Sequence, residues 1–206
     1  MLKYLFPLAA VLAFTLPLQA DPYENAVRLD VLPGWRMVDG QHMAALRLSL
    51  AKGWKTYWRS PGDAGVPPVF DWRGSKNITD AEITWPTPVV FSQSGMRSVG
   101  YSDNIILPLK LSTRDKGGVL RLKGVIDIGV CKDICVPRRM KINVTLPADQ
   151  TRPIPAIAAA LAEQPFNRKE AAVASVQCTF SPDNDGYGFI AKVRMPSAGS
   201  PEYAVV

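Results

Sequence analysis

Alternation with a period of two runs through most of this chain. Ala44, Leu46, Leu48 and Leu50 fall on one side of an extended 43–50 segment, and 140–146 alternates without a break. Segments 104–111 and 119–128 are two further strand candidates, joined by the turn signal Asp115-Lys116-Gly117-Gly118. Shorter candidates lie at 27–31, 69–72 and 81–85. Seven strand candidates with no helical period among them predict an all-β fold, an immunoglobulin-like antiparallel β-sandwich.

The pattern changes after Pro147. Thr151-Arg152-Pro153-Ile154-Pro155 reads as a linker, and the Ala-rich stretch 154–164 has Ile154, Ile157, Ala158 and Leu161 at helical spacing. Two more strands are predicted at 175–180 and 187–195. The expected organisation is a signal peptide over 1–20, a sandwich domain over 21–147, and a linker, short helix and partial second β region over 148–206. That last region is thin for an independent domain. It either packs on the sandwich or belongs to a longer protein, and the second is the expectation.

Residues 1–20 carry the marks of an export signal. Lys3 gives a positive start, 4–18 is almost wholly apolar, and Leu18-Gln19-Ala20 offers a small residue at the cleavage point. Pro7 and Pro17 interrupt the stretch, which is short for a membrane span. The expected location is therefore outside the cytosol, where disulfides form and persist.

Composition removes several function classes. With 47% hydrophobic and 20% charged residues in 206, the chain has enough apolar material for a packed core and too little charge for disorder. The net charge of +6 is spread without a Lys/Arg run, so it reads as solubility charge and no nucleic-acid partner is expected. The single histidine, His42, excludes multi-histidine metal sites and reads as a surface residue without a role.

Three cysteines allow one pair and one remainder. Cys131-Lys132-Asp133-Ile134-Cys135 lies between two strand candidates. Along an extended strand the two Cα atoms would stand about 13 Å apart, well beyond the roughly 4.4–6.8 Å that a disulfide spans. Either the pair is open or the chain turns back between the cysteines, which places it at a hairpin turn near the surface. A bridge closing so short a loop stabilises by only about 2 kcal/mol on chain-entropy arithmetic. Three readings stand open: a bridge that exchanges, a static hairpin bridge, and a soft-metal site. Lys132, Arg138 and Arg139 would favour a thiolate, and Asp133 opposes them. Met140 or Met96 could join the pair in a thiolate–thioether Cu(I) site. Cys178, in an apparent strand, reads as a buried free thiol.

The segment Gly53-Trp54-Lys55-Thr56-Tyr57-Trp58-Arg59-Ser60-Pro61-Gly62-Asp63-Ala64-Gly65 reads as a strand end running into a tight loop. Trp54 and Trp58 share one strand face and Tyr57 points to the other.

These motifs resemble one family. Trp54 to Asp63, then Ile83-Thr84-Trp85-Pro86-Thr87-Pro88, Gly100-Tyr101, Leu107-Pro108-Leu109 and Cys131-Lys132-Asp133-Ile134-Cys135-Val136-Pro137 are similar to the periplasmic amino-terminal domain of the thiol:disulfide interchange protein DsbD, in its ScsB-like and stand-alone disulfide-corrector branch. The DsbD pair has five residues between its cysteines; this chain has three, as that branch does.

The resemblance implies an immunoglobulin-like sandwich acting as a thiol:disulfide oxidoreductase. It passes electrons through the cysteine pair without a metal or organic cofactor. Cys135 matches the cysteine that forms the mixed disulfide, and Cys131 the resolving one. A cap loop over the pair matches 91–96, with Phe91, Gln93 and Met96, while Tyr57 and Pro137 match positions flanking the site. The implied partners are periplasmic thioredoxin-like proteins and disulfide isomerases, with a membrane electron-transfer protein acting in trans. The rival expectation is a periplasmic copper-handling (copper-tolerance) or adaptor module with an inert bridge, which would bind Cu(I).

Overall fold

The computed structural model describes residues 23–93, 95–183, 186–197, 199, 202 and 203. The export segment over 1–20 lies outside them. In chain order the strands are β1 (Val27–Arg36), β2 (His42–Leu50), β3 (Lys55–Gly62), β4 (Val69–Asp71), β5 (Ile78–Ile83), β6 (Val89–Gln93), β7 (Met96–Ser102), β8 (Asn104–Thr113), β9 (Leu120–Cys131) and β10 (Cys135–Leu146). Helix α1 (Pro155–Ala162) follows, then β11 (Ser175–Asp183) and β12 (Gly186–Arg194).

Ten of these strands build the expected antiparallel sandwich. One sheet has the order β1-β2-β8-β5; the other runs β10-β9-β3-β7-β6, with β4 also paired to β9. The alternation read from sequence is the inward face. Leu46, Leu48, Leu107, Leu109 and Leu111 of the first sheet meet Leu120, Leu122, Ile126, Ile128 and Ile142 of the second, all of them buried. Trp54 and Trp58 pack against this core, and the intervening Thr56 is buried too.

Strand β2 departs from simple alternation at Met43-Ala44-Ala45-Leu46, where every residue is buried. The cause is α1. Its Ile157, fully buried, packs with Met43 and Ala45 on the outer face of the first sheet, beside Leu32, Trp35 and Ile106. Pro155 starts the helix at a position where a missing N–H costs nothing. The carbonyl of Glu163 at its far end accepts from the backbone N–H of Thr87 at 2.8 Å and from its hydroxyl at 2.6 Å. Both faces of β2 are therefore covered over this stretch, which accounts for the unbroken apolar run.

His42 is not the surface residue expected from sequence. It is fully buried, and its Nε2 lies 2.7 Å from the Pro33 carbonyl, at the bulge that interrupts β1 between Leu32 and Trp35. Burial, aided by the nearby Arg36 charge, pushes its pKa below the usual imidazole value, against the opposing pull of the Pro33 hydrogen bond.

The hairpin β11–β12 is strongly two-sided. In its register Val176 faces Val193, Cys178 faces Ala191, and Phe180 faces Phe189 on one side. Gln177, Thr179, Lys192 and Arg194 take the other side, together with one apolar residue, Ile190. Cys178 is exposed on the apolar side, which corrects the expectation of a buried thiol. No helix among the described residues is long and apolar enough to cross a membrane.

Candidate functional site

The β9–β10 hairpin carries the cysteine pair at its tip. Twelve cross-strand pairs run from Leu146↔Leu120 up to Cys135↔Cys131. The cysteines are thus the last paired residues before the turn Lys132-Asp133-Ile134. Their Cα atoms are 4.1 Å apart and their sulfurs are joined. The chain does turn back between them, as a bridge at this spacing requires.

The parity of β9 decides which way the bridge points. Ile126, Ile128 and Val130 enter the core, so Asp127, Gly129 and Cys131 face outward from the sandwich. Cys135 and Pro137 share that outward face on β10. The two cysteines nonetheless differ sharply in exposure. Cys131 is only 2% exposed, whereas Cys135 is exposed.

Tyr57 makes the difference. It lies on the outward face of β3, where Lys55 pairs with Cys131 and Thr56 with Val130. The Thr56 hydroxyl donates to the Gly129 carbonyl at 2.9 Å and ties β3 to β9 just below the bridge. Tyr57 is 1% exposed, and its hydroxyl donates to Cys131 Sγ at 2.8 Å, with Cys135 Sγ 3.6 Å away. Two glycines make room here, Gly65 for the ring and Gly100 for the β3 backbone that carries it. A Cβ at Gly65 would stand 2.6 Å from Tyr57 Cδ1, and one at Gly100 would stand 2.0 Å from the Thr56 carbonyl oxygen. Glycine at these two positions permits close approach rather than an unusual φ.

Phe91 stacks on the other side of Tyr57, with centroids 6.4 Å apart and planes inclined by 27°. Lys55 Nζ lies 4.5 Å from the centre of the Phe91 ring, in cation–π range. The stretch expected as a cap loop is instead largely a hairpin. Phe91 lies within β6, and β6 pairs with β7 up to Gln93↔Met96. The aromatic is thereby fixed by a ladder to the sheet that carries the bridge. Met96 stands near the hairpin tip, 45% exposed.

Beside the bridge runs an apolar groove of about 570 Å³. Val66, Pro67, Val69, Gly129 and Pro137 line it together with both cysteines, and Asp127, Arg138 and Arg139 belong to the lining too. Val66 and Val69 are 56% and 58% exposed. In that lining Arg139 grips Asp127 with two bonds of 2.7 and 2.9 Å, which holds the Asp127 carboxyl below its usual range. Arg139 is therefore committed to Asp127, and the sequence-based idea that it supports a thiolate is revised. Met140 is revised as well. It packs against the core on the inward face of β10, opposite in parity to Cys135, and cannot join the sulfurs in a thioether–thiolate set. Among the described residues no group of three or more His, Cys, Asp or Glu could hold a metal ion.

Of the residues singled out from sequence, Cys131, Cys135, Tyr57, Phe91 and Pro137 come together. Lys55, Gly65 and the groove residues Val66, Pro67 and Val69 were not singled out. Only strand parity could have found Lys55, two residues before Tyr57 on the same face.

An immunoglobulin-like β-sandwich with a surface hairpin disulfide, one cysteine buried against a tyrosine and the other exposed, defines the class. The family model described as "Thiol:disulfide interchange protein DsbD, N-terminal" matches residues 22–147, and the chain belongs to this family. Its cysteine pair is consistent with the thiol–disulfide exchange in which the family takes part. Among solved structures it is similar to the N-terminal periplasmic domain of ScsB from Proteus mirabilis. Identity there is 21% over 86% of this chain and 84% of that one, with a TM-score of 0.60, which supports the fold. The Neisseria meningitidis DsbD n-terminal domain in the reduced form matches at 15% identity over 60% of this chain and 88% of that one, with a TM-score of 0.36. No curated protein sequence matches the chain.

Proposed function

We propose that this protein is a periplasmic thiol:disulfide oxidoreductase that relays electrons through Cys131 and Cys135. The observation that carries this reading is the unequal exposure of the two bridged cysteines. An incoming thiolate must reach a sulfur along the line of the S–S bond, and Cys135 is the sulfur on offer. In the oxidised protein, a partner thiolate attacks Cys135 Sγ and forms a mixed disulfide, and Cys131 leaves. The partner's second thiolate then attacks its own bridged sulfur and releases Cys135. The partner ends as a disulfide and this protein as a dithiol, two electrons having moved. Run in reverse, the Cys135 thiolate attacks a partner disulfide and Cys131 resolves it.

The partners fitting this chemistry are periplasmic thioredoxin-like proteins and disulfide isomerases, with a membrane electron-transfer protein supplying electrons in trans. The largely apolar groove beside the cysteines supports a polypeptide partner, because it offers apolar surface, with the Asp127–Arg139 pair and Arg138 also in its lining, to the residues beside a partner's cysteine. Phe91, stacked on Tyr57, acts as the cap that limits access when no partner is bound. Residues 1–20 direct export to the compartment where such exchange operates.

The test is a trap. In a Cys131→Ala variant the mixed disulfide at Cys135 has no resolving thiol, so a covalent adduct with a periplasmic thioredoxin-like protein should accumulate and disappear on reduction. A Cys135→Ala variant should give none. Absence of any adduct from the first variant would defeat the proposal.

A further inference from the structure

Every attack at Cys135 must expel Cys131, and Cys131 is the sulfur in the poorer place to carry charge. It is 2% exposed, and burial away from water raises a thiol pKa and makes the thiolate a worse leaving group. One group at the site opposes this. The Tyr57 hydroxyl, on a ring that is itself 1% exposed, donates to Cys131 Sγ at 2.8 Å and is farther, 3.6 Å, from Cys135 Sγ. The ring is held in place by the Phe91 stack and by the bare positions Gly65 and Gly129. It needs no movement to meet the charge that develops.

We propose that Tyr57 is a catalytic residue of this exchange: its hydroxyl stabilises the Cys131 thiolate as the Cys131–Cys135 bond breaks. The inference rests on the exchange reading above and adds the group that makes Cys131 the competent leaving sulfur. In the step concerned, the partner thiolate supplies the electron pair for the new bond to Cys135 Sγ. The electron pair of the old S–S bond departs on Cys131 Sγ, where it accepts the Tyr57 O–H. The phenol keeps its proton throughout. By microscopic reversibility the same hydrogen bond keeps Cys131 ionised when it resolves a mixed disulfide. A preorganised donor aimed at a developing anion in a site screened from water is the arrangement in which one hydrogen bond counts most.

The test is Tyr57→Phe, which keeps the ring and its packing and removes only the oxygen. In a reduced Cys135→Ala, Cys178→Ser background Cys131 is the lone thiol, and its pKa is read from thiolate absorbance against pH. Tyr57→Phe should raise that pKa by about one unit, a tenfold change in the ionisation constant. In the otherwise native oxidised protein, reduction by excess dithiothreitol at constant pH should slow by about three- to tenfold, because the leaving thiol has become more basic. An unchanged thiol pKa overturns the assignment, even if the variant melts at a lower temperature, since packing alone would move only the melting point. Neither readout uses a biological partner. Failure of thioredoxin-like proteins to exchange with the native protein would instead count against the exchange reading and leave the hydroxyl's effect on Cys131 standing.

Discussion

Gly100 is the position at which a single methyl group should do most harm. It lies on β7 opposite Tyr57 on one side and Val89 on the other. A Cβ placed there falls 2.0 Å from the Thr56 carbonyl oxygen and 2.9 Å from Tyr57 Cα. Both are backbone atoms, so no rotamer change can relieve the contact. Strand β7 would have to retreat from β3 by about 1.5 Å to restore an ordinary separation. A shift of that size stretches the β3–β7 ladder hydrogen bonds around Thr56 and Tyr57 beyond good geometry. Two weakened backbone bonds cost about 1 kcal/mol each, and overpacking adds about 1–3 kcal/mol. Gly100→Ala should therefore lose about 3–5 kcal/mol, a large share of the ~5–15 kcal/mol that holds a domain together. With a urea slope of ~2 kcal/mol/M the midpoint should fall by about 2 M. Because Tyr57 travels with β3, reduction by dithiothreitol should change as well. A loss below about 1 kcal/mol with an unchanged slope would refute the close-approach argument.

Three further outcomes are expected. Phe91→Ala removes the ring stacked on Tyr57 and the Lys55 contact, so alkylation of the reduced pair by iodoacetamide should quicken several-fold, and equal rates would show that Phe91 caps nothing. Ile157→Ala empties a fully buried site between α1 and the first sheet and should cost about 2–5 kcal/mol in denaturant titration; a loss under about 1 kcal/mol would mean that α1 is not docked. His42 has a folded pKa below its unfolded value of about 6.5, so the unfolded chain binds the extra proton. The stability this represents is complete above pH 6.5 and is lost as pH falls from there towards the folded pKa. A His42→Gln variant should show a flatter decline between pH 7.5 and pH 5 than the native protein, and identical slopes would contradict the burial argument.

The sandwich was legible because its inner faces repeat with a strict period of two, as in Leu46-Arg47-Leu48 and Ile142-Asn143-Val144. The same rule put Tyr57 opposite Trp54 and Trp58, and β3 obeys it. The reading failed where burial came from outside the sandwich. His42 was read as exposed because nothing local signals that the β1 bulge closes over it. Cys178 was read as buried because strand cysteines usually are, whereas its face of β11–β12 remains exposed. The cap stretch was expected as a loop because the resemblance matched it to the family's cap loop, whereas its register with β7 makes most of it strand. At the site, the hairpin position of the cysteines followed from their spacing. Which sulfur is covered did not, because that depends on a tyrosine more than seventy positions away in sequence.

The central claim is that the Cys131–Cys135 bridge exchanges rather than merely staples a hairpin. The measurement that tests it most directly is the reduction potential of the pair, read by thiol alkylation and mass spectrometry across defined redox buffers. A midpoint between roughly −120 and −270 mV, the range of thiol–disulfide oxidoreductases, is the expected result. A midpoint below about −300 mV would mark a structural disulfide and contradict the account.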